Sequence, residues 1–166
     1  MKRNNGKCFE IWWKSSVPED VFFYRFRDSG SSFYGGNSNL RFTPSNIADN
    51  MLFFDGCLLL NELKSHKGKS IPINCIDGNK TKHRQIIDML EANRHHNVFS
   101  NLIVFFSDVE RCFVINIEEF DNFVRCDQRK SIPISFFEEN GIEIEVTKKR
   151  TNYTFNLNKW LKEYYK

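Results

Sequence analysis

Residues 43–72 read T-P-S-N-I-A-D-N-M-L-F-F-D-G-C-L-L-L-N-E-L-K-S-H-K-G-K-S-I-P. Two apolar runs, 51–54 and 58–64, flank the dipeptide Asp55-Gly56. A type I′ turn needs positive φ at both central residues, which Asp-Gly supplies at little steric cost, so the stretch predicts a β-hairpin. Asp49 enters this hairpin, and Glu62 and Lys64 stand near its exit. Side chains alternate along a strand, which puts Glu62 and Lys64 on one face and Leu63 on the other. A carboxylate and an ammonium closing a greasy strand are not what core packing alone selects. They read as parts of an active site. Asp55 has a full conformational explanation in the turn and is assigned to structure.

The chain has 166 residues, which suits one domain able to bury a core without metal or disulfide staples. Hydrophobic residues make up 40% and aromatics 15%, which excludes a disordered chain. A net charge of +3 decides nothing about nucleic acid, so the positions of the charges must. Five scattered cysteines (Cys8, Cys57, Cys75, Cys112, Cys126), never in C-x-x-C spacing, fit reduced thiols better than a disulfide framework or a zinc site. No apolar run approaches the ~20 residues of a membrane span, and M-K-R-N-N-G is no signal peptide. The expectation is a soluble, cytoplasmic protein without a membrane partner.

Upstream of the hairpin, 5–15 predicts a helix carrying Phe9, Ile11, Trp12 and Trp13, with Glu10 among them. Residues 21–26 are rich in strand formers. A Gly/Ser/Asn-rich loop follows at 27–45, long for a compact domain. Its Phe33, Tyr34, Arg41 and Phe42 either stack on bases and meet phosphates or pin the loop to the core.

Downstream, Lys67-Gly68-Lys69-Ser70 invites a P-loop reading, but Leu63 stands where that motif needs glycine, so no nucleotide cofactor is expected. A basic turn whose N–H groups and lysines hold a phosphate is more economical. Residues 80–93 show helical spacing of Ile86, Ile87, Met89 and Leu90. Lys80, Lys82, His83 and Arg84 crowd the N-terminal end of that helix, where the dipole also favours anions, and suggest a phosphate path. Two strands at 101–106 and 112–117 predict a second hairpin, preceded by His95-His96, which lack metal-binding spacing and read as exposed. Then come a short helix at 118–126, the run Arg129-Lys130-Ser131-Ile132-Pro133, and a short helix that stops at Asn140-Gly141. A strand at 142–146, a solvated basic turn at Lys148-Lys149-Arg150, a last strand at 153–155 and a helix at 157–165 complete the chain. The echo K-S-I-P-I at 69–73 and 130–134 is too short to be a structural repeat.

Asp49 followed after a short interval by Glu62-Leu63-Lys64 resembles the signature of PD-(D/E)xK nucleases. The longer run Glu62-Leu63-Lys64-Ser65-His66-Lys67-Gly68-Lys69-Ser70 resembles the E-x-K-[ST]-x-K-G-x-S stretch of RecU-type Holliday junction resolvases. Gln85 and Arg129-Lys130-Ser131-Ile132-Pro133 are similar to that family too, and the matching segments are scattered over most of the chain. The resemblance implies an α/β, restriction-endonuclease-like single domain over 1–166, with a mixed central sheet flanked by helices. The loop at 27–45 is shorter than the family's protruding stalk and carries no obvious helix, a departure from the pattern.

Cutting a phosphodiester needs an activated water and stabilised charge on phosphorus and leaving oxygen, which hard divalent cations held by oxygen ligands supply. On this reading Asp49 and Glu62 are metal ligands, the Leu63 carbonyl is a further one, and Lys64 orients water and offsets negative charge. The metal is Mg²⁺, with Mn²⁺ as a substitute. The resemblance adds Glu10 as a further carboxylate, against its reading as an ordinary surface residue, and Gln85 as a residue reaching the site, against a place at the rim of a helix–sheet contact. DNA contacts are expected at Arg41, Lys67, Lys69, Lys80, Lys82, Arg84, Arg129 and Lys130. The function implied is resolution of four-way junctions by paired symmetric nicks from a homodimer, in a phage or mobile-element version of the enzyme. The alternatives are a nicking or flap endonuclease of the same fold, or a catalytically silent DNA-binding protein.

Overall fold

The computed structural model describes residues 5–26, 46–77, 80–126 and 129–165. The Asp55-Gly56 turn forms as the sequence predicts, with φ of 47° and 79°. It joins β2 (Asn50–Phe54) to β3 (Cys57–His66), with Phe54 opposite Cys57 and Asn50 opposite Asn61. The second strand runs two residues beyond the predicted end.

β3 lies inside a six-stranded sheet of order β1-β2-β3-β5-β6-β8. β1 is Phe22–Arg25, β5 is Val98–Phe106, β6 is Arg111–Asn116 and β8 is Ile142–Ile144. β3 and β5 run parallel, whereas the other neighbours are antiparallel. A parallel pair needs a crossover, and α2 (Lys80–Ala92) supplies it. The mixed sheet with helices on both faces is the architecture the sequence led us to expect.

One face of the sheet packs on α1 (Asn5–Ser15) and α5 (Leu157–Tyr164). Phe9 and Trp13, one helical turn apart, are fully buried there, and Phe9 stacks on Phe105 with ring centroids 5.4 Å apart. The other face packs on α2, α3 (Ile117–Cys126) and α4 (Ile134–Asn140) through Ile86, Met89, Phe120 and Phe137. On that same face no described element covers the β1–β2 edge. Phe22 and Phe53, directly opposite in register, are 55% and 50% exposed, and Tyr24 beside them is 46% exposed.

One expectation is corrected. The predicted strand at 142–146 is broken: β8 ends at Ile144, and β9 (Val146–Lys149) turns away to pair with β10 (Asn152–Phe155) in a separate ribbon. The break is at Glu145, whose carbonyl accepts from Asn156 N–H (2.9 Å) and whose carboxylate accepts from the Asn156 side chain (3.0 Å). The K-S-I-P-I echo also has a structural meaning, because its two copies pair with each other. β4 (Ser70–Pro72) lies antiparallel to β7 (Ser131–Pro133), with Ile71 opposite Ile132 and both buried. The flanking bonds mirror one another: Ile73 N–H donates to Lys130 C=O (3.0 Å) and Ile134 N–H to Lys69 C=O (2.8 Å).

Candidate active site

Asn50 is the first residue of β2, and over 46–49 the chain bends away from its partner. In a continued antiparallel ladder the Leu63 N–H would reach the carbonyl of residue 48. Asp49 takes that place with its side chain: Oδ2 accepts from Leu63 N–H at 2.8 Å, while its own N–H donates to Asn61 C=O (3.1 Å). N–H and C=O of one strand residue point to the same flank, so the Leu63 carbonyl also faces the side that β2 has left.

Glu62 points to the α2 face and is 3% exposed. A buried carboxylate needs partners, and both of its oxygens have one. Oε1 is paired with the Lys64 ammonium, two positions along the same face of β3, and Oε2 accepts from Gln85 Nε2 at 2.7 Å. Gln85 is delivered by α2, one turn before the buried Met89. Burial pulls the Lys64 pKa down, but the charge and hydrogen bond of Glu62, with the charge of Asp49, pull harder. The net shift is upward and the lysine is held protonated within the field of both carboxylates.

Glu10 is partly exposed. From α1 it forms an ion pair with Arg25 at the end of β1, with Oε2 2.6 Å from Nη2 and 2.9 Å from Nε. Glu10, Arg25, Asp49, Asn50, Phe23 and Leu63 line one small cleft on the open flank of β3. Sequence reasoning passed over Arg25, since its place depends on the β1–β2 register that sets it opposite Asn50. It also passed over Asn50, Asn61 and Asn101, which are buried on three adjacent strands and bonded each to the next. An asparagine in the middle of a strand-forming run was the available signal.

The expected DNA-contacting cations divide into groups. Lys67, Lys69, Arg129 and Lys130 are exposed at the turn after β3 and on the β4–β7 ribbon. Gly68, at φ 83°, shapes that turn, and its N–H donates to Asp108 (2.9 Å). Lys82 reaches back to the carbonyls of Asn74 (3.0 Å) and Cys75 (3.1 Å), and exposed Arg84 pairs with Asp88 (2.8 Å). Arg41, with Phe33, Tyr34 and Phe42, lies outside the described residues, as does the side chain of Lys80. His95 and His96 are exposed as expected.

Among the described residues no group of three or more His, Cys, Asp and Glu side chains stands ready to hold a metal ion. Two carboxylates and a main-chain carbonyl are a smaller, all-oxygen donor set. Such a set suits a hard divalent cation that keeps several waters and shares its shell with substrate phosphates. Among the described residues no helix is long and apolar enough to cross a membrane.

The chain is similar to known proteins in three respects. The structure is similar to that of Hjc, a Holliday junction resolvase from the archaeal hyperthermophile Archaeoglobus fulgidus, at 12% identity and a TM-score of 0.47, covering 84% of this chain and 91% of that one. The sequence is 32% identical over 170 residues to the SPbeta prophage-derived uncharacterized protein YotM of Bacillus subtilis (strain 168), covering 94% of this chain and 84% of that protein. The profile of the RecU family, described as recombination protein U, matches residues 42–159. That span takes in Asp49, Glu62, Lys64, Gln85 and both K-S-I-P-I copies, and with it the chain belongs to the recombination protein U family.

Proposed function

We propose that this protein is a divalent-metal-dependent endonuclease that resolves four-way DNA junctions by paired symmetric nicks, acting as a twofold dimer. The observation that carries this reading is that Asp49 caps the Leu63 amide on the flank of β3 that β2 leaves open, while Glu62 and Lys64 pair on the adjoining face of the same strand and the charge of Asp49 acts on Lys64. Membership of the recombination protein U family supports it, and the prophage origin of the Bacillus relative agrees with a phage or mobile-element source.

The residues divide the work. Asp49, Glu62 and the Leu63 carbonyl would hold Mg²⁺ or Mn²⁺, and Glu10 would join them once released from Arg25. A bound cation of this kind supplies Lewis-acid charge stabilisation and an acidified water. Lys64 places a fixed positive charge where negative charge grows on the scissile phosphate, and orients the attacking water. Gln85 fixes the Glu62 carboxylate. Lys67, Lys69, Arg129 and Lys130 hold flanking phosphates, a contribution that weakens with salt. Two symmetric nicks require two sites, and the exposed Phe22–Phe53 pair is the surface on which a second copy would seat.

The test is cleavage of a labelled four-way junction, a matched linear duplex and a flap, each with Mg²⁺, with Mn²⁺ and with chelator. Metal-dependent paired nicks near the crossover are expected. Equal cutting of duplex would make the protein a nuclease without junction preference. Binding without cleavage under all conditions would make it a silent DNA-binding protein.

A further inference from the structure

On the face of the sheet opposite Glu62, three buried asparagines stand side by side on adjacent strands. Asn50 of β2 is opposite Asn61 of β3, and Asn61 is opposite Asn101 of β5. They are 2%, 0% and 2% exposed. Their hydrogen bonds run in one direction: Tyr165 Oη donates to Asn101 Oδ1 (3.4 Å), Asn101 Nδ2 to Asn61 Oδ1 (3.3 Å), and Asn61 Nδ2 to Asn50 Oδ1 (3.2 Å). The chain ends at Asn50, which lines the cleft beside Asp49 and is its neighbour in sequence.

Asparagine is depleted in strands, and buried amides are tolerated only when bonded. Three in a row therefore need a reason beyond packing. Hydrophobic alternation says little about how β2 seats on β3, because Met51, Leu52, Phe53, Phe54 and Leu58, Leu59, Leu60 are apolar on both faces. A shift by two positions would keep the inward-facing pattern, yet leave buried amides unpaired. Only the observed register satisfies all three, in the way a single buried asparagine sets register in a coiled coil.

We propose that the Asn50–Asn61–Asn101–Tyr165 chain fixes the seating of β2 on β3 next to the site, and so holds Asp49 against the Leu63 amide. The Asp55-Gly56 turn pins the far end of the hairpin, and this row pins the end that carries the chemistry. The residues are positioning residues: Asn61 adjoins Glu62, Asn50 adjoins Asp49, and their pairing sets the two carboxylates relative to each other. The proposal rests on the nuclease reading for its purpose, though its geometric claim stands apart from it.

The test compares Asn61→Leu, close in size but unable to bond, with Ile144→Val on the outer strand β8, a control for general loss of stability. Hydrogen exchange at the Leu63 amide reads directly whether Asp49 is seated. Asn61→Leu should lower Leu63 protection at least about tenfold beyond its effect on global stability, the scale of one buried hydrogen bond. It should also weaken Mn²⁺ binding, titrated with the metal alone, and lower kcat on a four-way junction with KM little changed. Ile144→Val should do none of these. Should Asn61→Leu fail to fold, Tyr165→Phe removes only the last hydroxyl and should show the same effects to a smaller degree. Leu63 protection unchanged in the variant that folds, or lost equally in Ile144→Val, overturns the proposal. A wild-type protein that neither binds Mn²⁺ nor cuts, yet loses Leu63 protection on Asn61→Leu, would sink the nuclease reading and leave the register lock standing.

Discussion

Asp49 Oδ2 lies 2.8 Å from the Leu63 amide nitrogen, in the position a backbone carbonyl would fill if β2 continued. One carboxylate thus completes the sheet beside the proposed site. Asp49→Ala removes the acceptor from a half-buried N–H and should cost ~1–3 kcal/mol by urea denaturation. Asp49→Asn keeps an oxygen there and should cost less. Both should abolish cleavage while sparing junction binding, so a retained cutting activity in Asp49→Asn would remove Asp49 from the chemistry.

Lys64 neutralises a carboxylate that is otherwise 3% exposed. Lys64→Met should therefore destabilise the metal-free protein by ~3–5 kcal/mol, the usual consequence of orphaning a buried charge. Excess Mn²⁺ should raise Tm in both proteins, and more in the variant, since the cation then takes the place of the missing ammonium. Thermal melts with and without Mn²⁺ decide this, and equal shifts in both proteins would argue against Glu62 as a ligand.

Gln85 has a narrower task, holding Glu62 Oε2 at 2.7 Å. Replacement of such supporting partners typically costs about 10- to 100-fold in metal affinity or activity. Gln85→Leu should fall in that range. Gln85→Glu, which sets carboxylate against carboxylate, should fall further. Single-turnover cleavage of a labelled junction is the measurement.

Tyr165, at the outer end of the asparagine row, gives a pH signature. Burial pushes its phenol up to about 12, from the ordinary 10.0. Above the unfolded pKa the unfolded chain sheds this proton while the folded protein still holds it. The stabilising effect is thus fully present below pH ~10 and drains away as pH rises toward about 12, by on the order of 2–3 kcal/mol. Urea titrations across that window should show the loss in wild type and a shallower slope in Tyr165→Phe.

Phe53 and Phe22 are opposite each other in register and exposed near the edge of the sheet. Phe53→Lys should leave the fold intact, turn a dimer into a monomer by sedimentation, and replace paired cuts with single nicks. An unchanged mass would move the interface elsewhere.

The hairpin was legible because turn chemistry and alternation are local, and both belong to a few residues around Asp55-Gly56. The sharing of one face by Glu62 and Lys64 followed from the same periodicity. Features that depend on where strands stop or meet were not legible. The acceptor role of Asp49 exists only because the chain bends at 46–49, and Arg25 reaches Glu10 only through the β1–β2 register. The break at Glu145 comes from bonds to Asn156, which lies beyond two further elements. The two K-S-I-P-I copies were visible as a recurrence, but pairing between distant segments leaves no local mark.

The bend that frees the flank of β3 at Leu63 has an implication for tuning. Part of the proposed donor set is main chain, which no substitution can recolour. Lengthening β2 by one bonded pair would seal that flank with another strand while every side chain named here remained in place. In this family member, strand length is itself a variable on which selection for or against cutting can act.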